Sequence, residues 1–404
     1  MNFLLVTPFG DIEPFLALGT ALRAAGHGAT LVAESRHQTV AAQAQLAFAS
    51  LPNSEIGPGA HGTTTATDEV QELEMLYRQL APCLGEFLRT TLARLPEHDV
   101  LVYSRVFPFL HGAARQAGRK SAALVFCPGT VPSVEKGPEH SPPVPAWAPK
   151  FYRHHRNTRS WMAEQNSLDE VVNHATASTL KSLGLEPFAG FLFNPADRAL
   201  VAISSALFPP LGPWPKKYAG TGFLRWDAPV DEHTADLAPV VKSEQTGQPL
   251  PVIALESLKE DLPGLLAIWP RAAPLVVLAP DAGVVADPQR PEILFVHEVP
   301  RELLFSLATV VIHDGGPGAT AAALHAGRPQ IIIPQRTDQF HWARATEKLG
   351  VTKILPGAGW AAALPAAIAE VLRDITLPRR AVECATLIRA ENGAALAVRE
   401  LEKL

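Results

Sequence analysis

The chain has 404 residues, 47% of them hydrophobic, so it is long for one domain and suits two domains with full cores. Its formal net charge of −5 excludes a general attraction to nucleic acid, and no apolar run is as long as a transmembrane helix. Cys83, Cys127 and Cys384 are too few and too scattered for a disulfide framework or a zinc site. Met1 leads into a strand rather than a signal segment, so we expect a cytoplasmic protein.

Apolar runs and helical periodicities alternate along the chain, which predicts parallel sheets covered by helices. In the first half, strands are expected at residues 3–7, 30–33, 100–104, 122–127 and 199–204. Segment 13–25 is predicted to be a helix, because Pro14 lies in its first turn and Gly26 follows its end. A stretch rich in Pro and Gly, 128–149, predicts an ordered loop or a mobile lid.

A second alternating series begins after residues 226–249, a segment rich in Pro, Asp, Glu and Gln that is the best candidate for an interdomain linker. Its strands are expected at residues 251–255, 275–279, 293–299, 310–313 and 330–334. Helical runs at 361–373 and 379–404 close the chain. We therefore expect an α/β protein of two doubly wound domains, with ligands bound at the carboxyl ends of the strands.

The most informative segment is 313–340, which reads HDGGPGATAAALHAGRPQIIIPQRTDQF. An apolar strand ends at His313, a glycine-rich turn follows, and a helix rich in small residues ends before Gly327. A helix N-terminus leaves its first N–H groups without partners and favours an anion, and glycines let a phosphate approach the backbone. A second strand then leads to Asp338 and Gln339, whose side chains suit sugar hydroxyls.

This ordered set resembles the donor-binding motif of the family 1, GT-B-fold glycosyltransferases, in which a leading His and glycines hold the diphosphate and an Asp-Gln pair holds the sugar. Residues 1–35, with a Gly-Asp-x-x-Pro-Phe element at 10–15, and residues 207–227 are also similar to that family. Nearest in character are the bacterial rhamnosyltransferases of glycolipid synthesis and the antibiotic and sterol glycosyltransferases. The resemblance implies the GT-B fold, with two facing Rossmann-like domains and an interdomain cleft.

On this interpretation, residues 1–225 form an N-terminal acceptor-binding domain and 250–379 a C-terminal nucleotide-sugar-binding domain, joined by the linker 226–249. The C-terminal helix, 380–404, is expected to pack back on the first domain. The reaction would displace a nucleotide diphosphate from an anomeric carbon and invert its configuration, which requires a base and stabilisation of the leaving group. The resemblance makes Asp11 the candidate base, whereas the residues alone also allow Asp11 to cap the helix that follows.

The resemblance assigns the donor phosphates to a set of residues around the glycine turn and one in the loop after the first strand of the second domain: His313, Gly315, Gly316, Gly318, Ala319, Thr320 and Ser257. Val299 would contact the nucleotide base through its backbone. Asp338 and Gln339 would bind the donor sugar, although Asp338 could also cap the following helix. The sequence has no Asp-x-Asp pair and no cluster with metal spacing, so we expect neither a metal nor another cofactor.

Three positions depart from the family pattern. Ala319 stands where many members have a Thr or Ser hydroxyl, so a backbone N–H or Thr320 would have to serve instead. Ala321 stands where plant members place a Glu for the ribose hydroxyls. Glu256 lies in a segment that is usually Gly-Ser, where its charge would oppose a diphosphate unless it points away or binds a hydroxyl.

The sequence gives few indications of which residues bind the acceptor. Phe107, Phe109 and His111 follow the strand 100–104 and could line an apolar acceptor pocket or pack in the core. Between residues 147 and 161, aromatic residues interleave with basic ones. This pattern indicates either a helix that touches anionic lipid or an anionic acceptor, or an amphipathic helix that packs its aromatic residues inside.

These observations predict an inverting, metal-independent glycosyltransferase that uses a UDP- or TDP-sugar. Its acceptor would be the hydroxyl of a small lipophilic molecule, such as a natural product, a hydroxy-fatty acid or a sterol-like ring. The alternatives are a nucleotide-sugar epimerase on the same fold and a non-catalytic, glycosyltransferase-like binding or activator protein. The sequence predicts no oligomeric state.

Overall fold

The structure, a computed structural model, describes residues 1–8, 12–51, 69–138, 141–210, 212–226, 237–245, 247–255, 262–271, 273–278, 289–296 and 299–404. These residues form two compact units. The first comprises the described residues up to 226 together with 391–404, and the second comprises those from 237 to 390. Each unit is built around its own parallel sheet.

The first sheet has seven strands in the order β3-β2-β1-β4-β5-β6-β7. They are β1 (Asn2–Val6), β2 (Gly28–Glu34), β3 (Ala47–Leu51), β4 (Val100–Ser104), β5 (Lys120–Val125), β6 (Arg198–Val201) and β7 (Tyr218–Gly220). Its central strands are continuous apolar runs because both faces of the sheet are covered. Along β1, Leu4 and Val6 enter one core, and Phe3 and Leu5 enter the core on the opposite face.

Six helices of the first unit lie between its strands or beside them: α1 (Glu13–Ala24), α2 (Gln38–Gln43), α3 (Glu69–Leu80), α4 (Leu84–Arg94), α5 (Phe109–Gln116) and α6 (Lys150–Ser182). The helix α6 has 33 residues, and its buried stripe packs with α3 and α4 against one face of the sheet. Among the described residues, no helix combines the length and apolar character that crossing a membrane requires.

The second sheet has six strands in the order β10-β9-β8-β11-β12-β13. They are β8 (Pro251–Ala254), β9 (Leu275–Leu278), β10 (Ile293–Val296), β11 (Val310–His313), β12 (Gln330–Ile332) and β13 (Thr352–Ile354). The helices of this unit are α7 (Ala238–Glu244), α8 (Leu262–Ile268), α9 (Arg301–Leu307), α10 (Pro317–Ala326), α11 (Thr337–Leu349), α12 (Trp360–Arg373) and α13 (Thr376–Arg389). The prediction of an α/β, doubly wound fold is therefore confirmed for each unit.

The end of the chain differs from the single helical run predicted for residues 379–404. The run is interrupted after α13, and a separate helix, α14 (Gly393–Leu401), follows. Asn392 starts α14, because its side-chain oxygen accepts the N–H of Ala395 at 3.1 Å. The prediction of one helix was wrong because an Asn-Gly pair inside the run provides this new start. α14 packs against α1 in the first unit.

Candidate functional site

The topology of the second sheet locates a crevice before any side chain is considered. β8 lies between β9 and β11, so the chain crosses over in one direction from β8 and in the other from β11. Sheets of this type bind ligands at such a switch point, outside the carboxyl ends of the strands. His313 is the last residue of β11 and pairs in register with Ala254 at the end of β8. The glycine turn therefore begins at the switch point.

His313 is buried, and both of its ring nitrogens are engaged within the protein. Its Nδ1 accepts the N–H of Gly315 at 3.0 Å, so its proton is on Nε2, which lies 2.8 Å from Oε1 of Gln330. Burial lowers the pKa of His313, and the hydrogen bond with Gln330 opposes part of that shift. In this structure the histidine is a neutral group that holds the turn in place.

Gly315 connects the two segments that the sequence analysis assigned to the phosphates and to the sugar. Its φ of +91° lies in the left-handed region, and a Cβ there would come within 2.8 Å of Ile332 Cγ2 and 3.1 Å of the Gln339 carbonyl oxygen. The glycine turn and the start of α11 are therefore in van der Waals contact. The structure brings the residues around 315 together with those around 339.

The turn leads directly into the N-terminus of α10. Gly316 is the N-cap, Pro317 has no N–H to donate, and the N–H of Thr320 donates to the Gly316 carbonyl at 3.0 Å. The helix itself supplies no acceptor for the N–H groups of Gly318 and Ala319. These two amides are therefore the donors that α10 offers to an anion. The side chain of Thr320 is buried, and its hydroxyl has no hydrogen-bond partner among the described residues.

Asp314 is a residue of the turn that the sequence analysis did not single out. Its Oδ1 accepts the N–H of Gly316 at 3.2 Å, and the residue is almost fully buried. Two of the amides assigned to the diphosphate are thus occupied by side chains of the turn, Gly315 by His313 and Gly316 by Asp314. The Asp-x-Gly spacing is typical of an Asx turn and could have indicated this hydrogen bond.

Asp338 and Gln339 lie in the first turn of α11 but differ in their surroundings. Gln339 is buried, and its Oε1 accepts the N–H groups of Gln335 at 2.8 Å and Arg336 at 3.1 Å. It therefore shapes the loop between β12 and α11. The carboxylate of Asp338 is partly exposed and lies 3.6 Å from Nε of Arg336. Of the pair, Asp338 is the side chain that a sugar could reach.

Of the remaining residues that the sequence placed at the site in the second unit, some lie among the described residues and others do not. Val299 is described, and its side chain packs in the core with Leu304 just before α9 begins. Ser257 and Glu256 lie outside the described residues. Within the part of this chain that the structure describes, no three His, Cys, Asp or Glu side chains converge as metal ligands would.

In the first unit, the corresponding switch point is between β1 and β4. Asp11, which follows β1 in the sequence, lies outside the described residues. After β4, Arg105 is buried and donates to Oε1 of Glu69 at 2.7 Å and to the Thr130 carbonyl at 3.0 Å. This ion pair was not predicted from the sequence, because its partners are 36 positions apart in the chain.

Phe107, Phe109 and His111, the residues predicted to line an acceptor pocket, are buried in the first unit. The two phenylalanine rings meet edge to face with centroids 6.3 Å apart, and both also contact Phe87. His111 Nδ1 lies 2.8 Å from the Ser121 hydroxyl, and burial lowers its pKa to about 4. The structure thus places all three residues in the core, which is the alternative that the sequence left open.

Comparison with known proteins gives the site its context. Residues 276–404 match the model of the erythromycin biosynthesis protein CIII-like C-terminal domain. The chain is 26% identical over 413 residues to O-mycaminosyltylonolide 6-deoxyallosyltransferase of Streptomyces fradiae. This alignment covers 95% of this chain and 92% of the relative. The chain is 27% identical over 417 residues to vancomycin aglycone glucosyltransferase of Amycolatopsis orientalis, with 97% and 94% covered. The curated relatives that match nearly the whole chain are thus glycosyltransferases.

Solved structures of glycosyltransferases confirm the fold. Spinosyn rhamnosyltransferase SpnG has been solved in complex with thymidine diphosphate and with spinosyn aglycone. Each complex matches 100% of this chain and 100% of its own, with a TM-score of 0.62 and 22% identity. The predicted GT-B fold is therefore confirmed. The predicted enzyme class is confirmed by the curated relatives, which are named as glycosyltransferases.

Proposed function

We propose that this glycosyltransferase moves a sugar from a TDP- or UDP-sugar to a hydroxyl of a small lipophilic acceptor, with inversion and without a metal ion. The observation that carries the proposal is the pair of N–H groups of Gly318 and Ala319 at the start of α10, at the switch point of the second sheet. Such a position favours a phosphate, because the helix dipole and the two donors act on the same anion.

In this mechanism the amides of Gly318 and Ala319 stabilise the charge that grows on the diphosphate as the bond to the sugar breaks. His313 acts indirectly: as a neutral, buried group it holds Gly315 and thereby fixes the direction of the helix start. A preorganised backbone donor costs no reorganisation during the reaction. The leaving group would thus be stabilised by the backbone rather than by a histidine charge.

We assign Asp338 to the hydroxyls of the donor sugar. Its carboxylate can only accept hydrogen bonds, and it is partly exposed beside the loop that Gln339 organises. The close packing of Gly315 on the backbone of Gln339 keeps this carboxylate near the turn that holds the diphosphate. A sugar attached to that diphosphate is therefore within reach of Asp338.

We propose Asp11 as the base that removes the acceptor proton. An ordinary aspartate has a pKa near ~3.9, so it accepts the proton late, when bond formation has already acidified the hydroxyl. Attack from the face opposite the leaving diphosphate inverts the anomeric configuration. The proton passes to Asp11, and the electron pair of the broken bond leaves with the diphosphate.

The nature of both substrates is supported by the relatives. The names of the curated relatives specify a tylonolide and the vancomycin aglycone, and SpnG binds thymidine diphosphate and spinosyn aglycone. These names and complexes point to aglycone acceptors. They favour TDP over UDP as the nucleotide of this enzyme, and a lipophilic natural product as its acceptor.

A nucleotide screen followed by product analysis tests the proposal. TDP or UDP at a hundredfold excess over its dissociation constant should stabilise the protein by ~2.7 kcal/mol, which a melting experiment detects, whereas GDP should not. Transfer from an α-linked donor should continue in the presence of a chelator and give a β-linked product by NMR. An α-linked product, or a loss of transfer that added divalent cations restore, would contradict the corresponding part of the proposal.

A further inference from the structure

The start of the long helix α6 and the segment before it expose large aromatic side chains. Trp147 is 85% exposed and Phe151 is 77% exposed, and Tyr152 is also exposed. Scattered single apolar residues are normal on a protein surface, but these three exposed rings lie within six positions of the chain, and clustered exposed apolar residues mark interaction sites. The sequence alternative in which the aromatic residues of this helix pack inside holds for Trp161, which is buried, and fails for these three.

Basic residues border the same surface. His155, Arg156 and Arg159 follow on the exposed side of α6. Within the described residues, none of the three has an ion-pair partner, whereas the neighbouring Lys150 and His154 both lie close to Glu135. The basic-aromatic surface, defined by Trp147, Phe151, Tyr152, His155, Arg156 and Arg159, therefore presents two uncompensated arginine charges beside exposed rings.

The rotation of α6 is fixed, so these rings cannot turn into the core. Trp161 Nε1 donates to the Lys136 carbonyl at 2.8 Å, and Asn157 Nδ2 donates to the Val134 carbonyl at 2.9 Å. Farther along, Leu168 is fully buried in the core. The inner face of the helix is thus anchored at several points, and the opposite face remains outward.

We propose that the basic-aromatic surface docks the enzyme on anionic lipid bilayers. Trp and Tyr favour the boundary between headgroups and acyl chains, because one end of each ring is apolar and the other is polar. Arginines beside them attract the negative surface of a bilayer. An interfacial site needs an apolar side and a cationic side on one outward surface, and this surface has both.

Vesicle sedimentation of the full chain tests the docking. We expect binding to vesicles of phosphatidylcholine mixed with phosphatidylglycerol, weaker binding to phosphatidylcholine alone, and a decrease when salt is added. Arg156→Gln with Arg159→Gln should weaken binding by about tenfold or more, because each basic residue near an anionic bilayer contributes on the order of a factor of five. Trp147→Ser with Phe151→Ser should weaken it to a similar extent.

Two control variants distinguish binding by this surface from non-specific adsorption to vesicles. Ile375→Ser removes an apolar side chain that is 86% exposed in the second unit, and Lys181→Gln removes an exposed charge at the other end of α6. Both should bind vesicles like the parent, and all variants should melt like the parent. The proposal is overturned if the parent binds neither kind of vesicle, or if the arginine variant binds anionic vesicles unchanged. It is also overturned if sedimentation without lipid shows a self-association that the same substitutions abolish, because the surface would then bind a second copy of the chain.

Discussion

At the scale of single residues, the proposed donor site contains a carboxylate where the substrate would bring negative charge. Oδ1 of Asp314 accepts the N–H of Gly316 at 3.2 Å, in the turn that leads to the amides of Gly318 and Ala319. A bound diphosphate would lie close to this carboxylate, and like charges at short range repel, more so where water is partly excluded. Asp314 stabilises the turn through this hydrogen bond, and its charge would oppose an anion bound there.

Replacing Asp314 by Asn should consequently tighten the binding of TDP. The amide oxygen still accepts the N–H of Gly316, but the charge is gone, so we expect a three- to tenfold lower dissociation constant, about 0.6–1.4 kcal/mol. Isothermal titration calorimetry measures the change. Asp374→Asn is the matched control, since Asp374 Oδ1 accepts the N–H of Thr376 in the same local geometry at 2.7 Å, outside the glycine turn. Equal or weaker TDP binding by the Asp314 variant would contradict the repulsion.

A second prediction concerns the two neighbours at the start of α11. Asp338→Ala should weaken binding of the intact nucleotide sugar and leave free TDP nearly unaffected, because only the sugar is within its reach. Gln339→Ala removes the acceptor of two backbone N–H groups, so it should destabilise the protein by ~1–3 kcal/mol and weaken both ligands together. Calorimetry with each ligand, combined with melting, distinguishes the two patterns. Equal losses of sugar nucleotide and TDP in the Asp338 variant would make Asp338 a purely structural residue.

The chemistry of this turn was only partly readable from the sequence. The strand end at His313, the glycines and the helix start follow from local patterns of apolar and small residues. The partner of His313 does not, because Gln330 is 17 positions away on the neighbouring strand and meets it only through the sheet register. For that reason the histidine was predicted to contact phosphate, whereas the structure engages both of its nitrogens inside the protein.

At the scale of elements, the continuous apolar strands were predicted well, and strands β3, β7 and β13 were missed. Strand β4 has the bounds that the sequence indicated, because its first four residues form a continuous apolar and aromatic run, which Ser104 ends. Strands β7 and β13 have three residues each, too few to show a period. They form because an existing strand edge, β6 or β12, offers unpaired backbone groups to the next segment.

The docking of α14 on the first unit yields a prediction at this scale. Leu401 is 0% exposed and belongs to the core that also contains Leu5 and Leu22. Leu401→Ala should lower the free energy of unfolding by ~2–5 kcal/mol, because it leaves a cavity in that core. Leu387→Ala, on α13, is the control at a side chain that is 50% exposed, and it should cost less than about 0.5 kcal/mol. Urea unfolding measures both values, and similar losses would mean that α14 is not part of the core.

At the scale of the whole molecule, each unit buries a histidine that remains neutral. His111 pairs with Ser121 in the first unit, and His313 pairs with Gln330 in the second. Burial lowers the pKa of both, to about 4 for His111, although the charge of Asp197 opposes part of the shift at His111. In the unfolded chain, the ordinary pKa of a histidine is near ~6.5. The two histidines therefore change the free energy of unfolding with pH in the same direction.

That direction is a loss of stability on acidification. Below about pH 6.5 these histidines bind protons in the unfolded chain but remain unprotonated in the folded chain. The free energy of unfolding therefore falls as the pH drops toward the folded pKa values. For His111 the folded value is about 4, and we expect a loss on the order of 1–3 kcal/mol between pH ~7 and ~4.5. Urea unfolding at several pH values measures it. His111→Gln keeps a polar side chain that can bond Ser121 but cannot titrate, so the slope with pH should become shallower by the share of His111. A slope unchanged in that variant would show that His111 titrates in the folded protein as it does in the unfolded chain.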